Sequence, residues 1–289
     1  MSPIGLMGVI SLGLALSGGV SMEASAVVAS PRDPAGTLAG WKSLTLEGQK
    51  AVLFSASATL QVAQESRSVI LFTTRSSAKI LGAAGFTEQT TSRIDPKRGR
   101  SLELFQLRPG ESARKYVFLD GIVRRTTWEP PENDPDCPFE QWREIETTDR
   151  KLTYADGSSL AAGERVTDSY SMIYLLRDMG LEAPSPEPRE YVTLYRRHLV
   201  RIRLTAGERR SNEREVLNEA TGSLDTLKLS ERRIRIRPVG PGAEGFRGLM
   251  GMQGEIEAWA DEPTGAIVEI NGDAPGAGAT QIHLKSFRR

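Results

Sequence analysis

Asp168-Ser-Tyr-Ser-Met-Ile-Tyr-Leu-Leu-Arg-Asp-Met-Gly180 (DSYSMIYLLRDMG) decides how this chain can fold. At about 100° per residue, Tyr170, Met172, Ile173, Tyr174, Leu175, Leu176 and Met179 fall on every side of a helix. Such a helix has no face to offer to water, so it must be wrapped. Asp168 or Ser169 can cap its start by accepting a bond from the free amides of the first turn. Gly180 is a natural left-handed stop.

Nearly everything else after Trp41 reads as short β-strands. Val52, Phe54, Ala56, Ala58, Leu60 and Val62 alternate with Leu53, Ser55, Ser57, Thr59 and Gln61, a half-buried strand with small side chains in its middle. Small inward residues let a sheet curl, or let something large pack against it. Ser68–Thr74, Ser101–Leu107, Arg114–Leu119, Ile122–Trp128 and Arg143–Tyr154 continue the pattern, and Asp120-Gly121 is the strongest two-residue hairpin signal. Ser77–Phe86 fits either a short helix or a glycine-broken strand. Beyond the helix, long strands are expected at Glu190–Leu204 and Leu224–Arg237, then a meander through Gly254–Ala260, Ala266–Gly272 and Ala279–Ser286. The fold class expected is mainly β: a curved antiparallel sheet or half-open β-barrel wrapping one apolar helix at about residues 169–179. Residues 41–289 form a single β-rich domain in this reading.

The chain has 289 residues, with 37 basic and 37 acidic side chains. Ile4–Leu16 is an apolar run with glycines, and Ala24-Ser25-Ala26 is a cleavage-type triplet, so residues 1–26 read as a signal peptide and 27–40 as a Pro/Gly linker. No Lys or Arg precedes the apolar run, and a retained N-terminal anchor is the competing reading. Removing 1–26 deletes only the charge of Glu23, leaving 37 − 36 = +1. That balance gives no field to recruit nucleic acid. No Cys follows the apolar run, which argues against a lipid anchor, and no later stretch is long and apolar enough for a transmembrane anchor. The location expected is the periplasm.

Chemistry-bearing patterns are sparse. Cys137 is alone in a proline-rich acidic loop, so it forms no intramolecular disulfide and reads as a loop thiol. His198 and His283 lack a second ligand at metal spacing, and the carboxylates Glu132, Asp134 and Asp136 lack the glycine and terminal Glu of a calcium loop. No catalytic residue, metal or cofactor is expected. Gly245–Gly254 carries four glycines with Phe246, Leu249, Met250 and Met252, and reads as a loop or a mobile apolar lip. Arginine supplies 29 of the 37 basic side chains. Val200-Arg-Ile-Arg-Leu204 and Arg233-Ile-Arg-Ile-Arg237 each place apolar groups on one face and guanidiniums on the other. Two readings follow: an anion-holding face, or a solvated face paired with Glu231, Glu255, Glu257 and Glu269. The nearby carboxylates favour the second.

The segment Asp168–Arg177 resembles the D-x-x-S-x-x-Y-x-L-R helix of the family called domain of unknown function 3108. Gly254–Trp259, Ile267–Ile270 and Thr280–Leu284 resemble that family's closing strand pairs, Trp included. The resemblance implies an exported envelope protein whose curved sheet encloses a helix, a shape similar to periplasmic lipoprotein carriers, with no established activity. The leading expectation is therefore non-enzymatic handling of an apolar or amphipathic ligand, a lipid or lipoprotein. Phe54, Leu60, Tyr170, Ile173, Tyr174 and Trp259 would line its site, and Arg201 and Arg235 would meet a headgroup. The alternative is a structural or protein-interaction module whose barrel is closed and packed; an envelope hydrolase is a third.

Overall fold

The computed structural model describes residues 37–50, 54–80, 83–244, 246, 252–274 and 278–289. The expected signal peptide, most of the linker and most of the glycine-rich loop lie outside them. The first eight strands form a meander in which each pairs antiparallel with the next: β1 (Ser43–Lys50), β2 (Phe54–Ser66), β3 (Val69–Ile80), β4 (Ala83–Asp95), β5 (Arg100–Arg108), β6 (Ser112–Phe118), β7 (Ile122–Glu129) and β8 (Arg143–Lys151). Gly121 turns β6 into β7 with φ of +71°, a conformation that an L side chain resists. The stretch Ser77–Phe86 is strand on both sides, β3 running to Ile80 and β4 starting at Ala83.

After the helix come β9 (Arg189–Tyr195), β10 (His198–Asn218), β11 (Ser223–Val239), β12 (Gln253–Asp261), β13 (Ile267–Ala274) and β14 (Gly278–Arg288). β14 returns antiparallel beside β1, with Ser43 opposite Arg288, so one sheet holds 14 strands and ends in β8 and β9. The single strand expected over Glu190–Leu204 is instead a hairpin, broken at Arg196, whose φ is +56°. Without a Gly, Asn or Asp there, the turn had no local signature. β10 also runs on through the charge-rich Glu208–Asn218, beyond the end at Leu204 expected from sequence. An irregularity between Ala206 and Arg209 bends that arm back. Its end lies parallel to β14, with Leu217 opposite Ser286, and the amide of Glu219 donates to the Phe287 carbonyl at 2.9 Å.

Period-two alternation sets the wall. Leu44, Leu46, Ala58, Leu60, Phe72, Ile202, Leu204, Ile234, Ala258, Ile270 and Ile282 point into one core with the helix. The sheet closes by overlap rather than by pairing its edges. Tyr116, Phe118 and Val123 from the inner face of β6 and β7 pack with Val192 and Leu199, which are out of phase with the inward Val200 and Ile202. The segment after β8 is sandwiched there: Tyr154 bridges Leu199, and Val166 bridges Val192. Val166 also accepts from the Ser101 amide at 3.0 Å, and the Thr167 amide donates to the Val192 carbonyl at 2.7 Å. These bonds replace the missing ladder between the sheet's ends. All these residues belong to the compact unit Asp33–Arg289.

The helix is shorter than its pattern. α1 (Ser171–Leu175) tightens into a 3₁₀ turn over Leu176–Met179 and stops at Gly180, φ +62°. A piece this short is not stable alone and depends on its walls. Gly265, in the turn between β12 and β13, sits at φ +65°, and a Cβ there would lie 2.4 Å from the Arg177 Cα. Gly163 is also at positive φ, +89°, but has open space around it. Chemical denaturation should therefore find Gly265→Ala destabilising by about 2 kcal/mol or more, and by clearly more than Gly163→Ala.

Candidate functional site

The helix is held to the barrel wall by a carboxylate. Asp168 is 2 % exposed, and five donors converge on it. The amides of Tyr170 and Ser171 each donate to Oδ1 at 2.9 Å, which is the cap expected from sequence. The Ser92 hydroxyl on β4 donates at 2.9 Å and the Ser101 hydroxyl on β5 at 2.6 Å; Ser171 adds its own hydroxyl. Ser101 in turn accepts from the Asp168 amide at 2.8 Å. Sequence identified the cap and missed the latch, because Ser92 and Ser101 lie 76 and 67 residues away.

A second tie lies beside it. The Tyr170 hydroxyl donates to Glu88 on β4, and Arg108 on β5 donates to the same carboxylate at 2.9 Å. Burial pushes the Tyr170 phenol well up, and the charge of Glu88 adds to that. Glu88, Thr90 and Ser92 alternate along β4 as inward residues, and Thr74 of β3 bonds Thr90 at 2.7 Å. This side of the barrel thus carries hydroxyls and a carboxylate among the apolar Phe72, Ile94 and Leu104.

The expected lining residues divide. Leu60, Tyr170, Ile173 and Tyr174 share the core, exposed 0–5 %, and Tyr174 lies 6.1 Å from Phe72, centroid to centroid. Phe54 begins β2, and its side chain lies outside the described residues. Trp259 is also buried, 7 % exposed and in the same core cluster, but it alternates with Ala258 and Ala260, and register sets it opposite Arg233 and Glu269. Its ring lies under the Arg210 guanidinium at 3.7 Å. Arg201 and Arg235 face outward, so they do not meet the apolar set. Arg201 bonds Glu164 at 2.6 Å and covers the Tyr154 ring at 4.6 Å, while Arg235 lies 3.4 Å from Glu257. The two arginine strands are neighbours, with Arg203 opposite Arg237, and their guanidiniums have carboxylates. This is the solvated, paired face, with Glu255 and Glu257 among the partners expected, whereas Glu231 and Glu269 pair instead with Arg210 and Arg214.

Cys137 is a loop thiol as expected, and it is buried. Phe139 makes edge contacts with Phe105, Trp128 and Trp142, and Trp142 donates to the Cys137 carbonyl at 3.1 Å. Desolvation pushes the thiol pKa up, which suits packing rather than nucleophilic chemistry. An open groove of about 450 Å³ lies along Glu255, Glu257, Asn271 and Asp273. Among the described residues no group of three or more His, Cys, Asp or Glu is placed to hold a metal, and no helix is long and apolar enough to cross a membrane.

The folded-back arm of β10 is clamped by charge. Arg210 and Arg214 both bond Glu231, fully buried, and Glu269. Burial alone would raise the Glu269 carboxyl, but hydrogen bonds from Arg210, Asn271, Arg214 and Gln281 outweigh it and lower the pKa from 4.5 to about 2.

No family model matches the chain, and no curated protein does. Among solved structures it is similar to a beta-barrel-like protein of domain of unknown function DUF1849 from Brucella abortus, with a TM-score of 0.51 at 10 % identity. The match covers 85 % of this chain and 94 % of that one, and it shows the fold alone.

Two outcomes follow. Asp168→Asn brings a donor among five donors, so denaturation should show a loss of about 3 kcal/mol or more, while the exposed Asp156→Asn changes little. The Glu269 contribution should be complete above its unfolded pKa of 4.5 and vanish as pH falls toward about 2. An acid stability titration should lose that part of its slope in Glu269→Gln.

Proposed function

We propose that this chain is an exported, non-enzymatic module of the cell envelope that works with its barrel closed around the helix. One observation carries the reading: the plug is locked in place. Its residues from Tyr170 to Leu176 are 0–5 % exposed, and Asp168 ties it to β4 and β5 through Ser92 and Ser101. A lumen ligand would have to expel this helix and strand buried hydroxyls and a carboxylate, several kcal/mol of unmet polar groups. Under this reading partners meet the outside of the sheet. The apolar run Ile4–Leu16 with Ala24-Ser25-Ala26, and the resemblance of the helix motif to that of domain of unknown function 3108, support export to the periplasm.

The second reading is an amphipathic ligand, lipid or lipoprotein, and it is favoured by the half-buried aromatic side chains Tyr116, Phe118, Tyr191 and Tyr195 at the margin of the core. Native mass spectrometry of protein released gently from the envelope separates the two. The closed module gives bare polypeptide beginning at Val27, and Tyr170→Ala and Ile173→Ala each lower stability by about 2–5 kcal/mol. A lipid mass that persists through purification would overturn the closed reading in favour of the second.

A further inference from the structure

The arginines singled out by sequence are all paired; the unpaired ones lie elsewhere. Register places Tyr116 of β6 opposite Arg125 of β7, Arg125 opposite Thr148 of β8, and Val123 opposite Arg150. Arg114 stands two residues from Tyr116 on the same face. That face is the inner one: Tyr116 lies opposite the inward Leu104, Phe118 packs against the same core, and Val123 packs with Val192 and Leu199 beside it. Arg114 is exposed, and Tyr116, Arg125, Thr148 and Arg150 are half-buried, so solvent reaches the patch.

Its charges do not cancel. Arg108, Arg114, Arg125 and Arg150 face Glu88 and Glu146. Glu88 is taken by Arg108 and Glu146 by Arg125. Arg114 and Arg150 have no carboxylate partner among the described residues. The Nε of Arg125 and the hydroxyl of Thr148, cross-strand neighbours, are both buried atoms without a hydrogen-bond partner. Like charges on one sheet face repel, and a buried donor left empty costs more than one filled. The outward stripe solved the same problem with Glu164, Glu190, Glu255 and Glu257. This patch has no such set.

We propose that the inner face of β6–β8 is an anion subsite, in which Arg114, Arg125 and Arg150 hold a phosphate or carboxylate group with the Thr148 and Tyr116 hydroxyls. Planar guanidinium forks suit such oxyanions. The anion is either free or the head of an amphiphile whose apolar part lies along Phe118. The proposal stands independently of the closed-barrel reading, since the patch lies at the seam and not under the plug.

The test uses the full chain with two probes at low salt: inorganic phosphate, followed by calorimetry, and phosphatidylcholine vesicles with or without phosphatidylglycerol, followed by co-sedimentation. Wild type should bind at least one anionic probe, and Arg114→Gln/Arg150→Gln should weaken it by about tenfold or more. Arg203→Gln/Arg237→Gln, on the paired outer face, should leave it unchanged. Phosphate binding without vesicle binding assigns a free anion; preference for phosphatidylglycerol vesicles assigns a headgroup. Thr148→Val, which keeps side-chain shape and all charges, should weaken the same binding several-fold and serves if the double variant fails to fold. Binding of neither probe overturns the proposal, as does equal loss in the outer-face variant.

Discussion

A helix that is apolar all round cannot exist in water, and this one is too short to hold its own hydrogen bonds. Every residue of α1 is buried, so the helix and the barrel each make the other possible. The sheet supplies walls, and the helix supplies the volume that a curled sheet cannot fill with its own small inward residues such as Ala58. Close packing makes this coupling strict, because any gap forfeits contacts on both sides.

Packing alone would leave the plug free to rotate or slide among similar apolar neighbours. The polar ties remove that freedom. Asp168 and Tyr170 can satisfy their buried oxygens only where Ser92, Ser101 and Glu88 stand, so hydrogen bonding selects one orientation from many of similar apolar burial. The buried hydroxyls Thr74, Thr90, Ser92 and Ser101 accordingly gather on β3–β5, where the ties are made. A buried polar network of this kind is costly if half-satisfied and specific when complete.

On the outside, the long β10–β11 arm folds back over β12 and β13. That is why Glu231 and Glu269 are buried on a face that would otherwise be wet, and why Trp259 is covered from without by Arg210. Arginine is therefore used in distinct ways here: solvated cross-strand pairing on Arg203 and Arg237, a desolvated clamp at Arg210 and Arg214, and, at Arg114 and Arg150, charge with no carboxylate partner among the described residues. Only the environment separates them, since the side chain is the same.

Local pattern determined a good deal. The alternation over Phe54–Val62, the Asp120-Gly121 turn and the closing meander identified strands, because backbone geometry imposes period two on any half-buried strand. The apolar circumference of Tyr170–Met179 required a sheltered helix. Tertiary structure alone decided the rest. The turn at Arg196 lacks a local signature, and the inward or outward sense of Trp259 depends on which strand pairs with which. The latch joins Asp168 to hydroxyls more than sixty residues distant. Whether a guanidinium is paired or free is likewise a matter of long-range register, which no window of neighbouring residues contains.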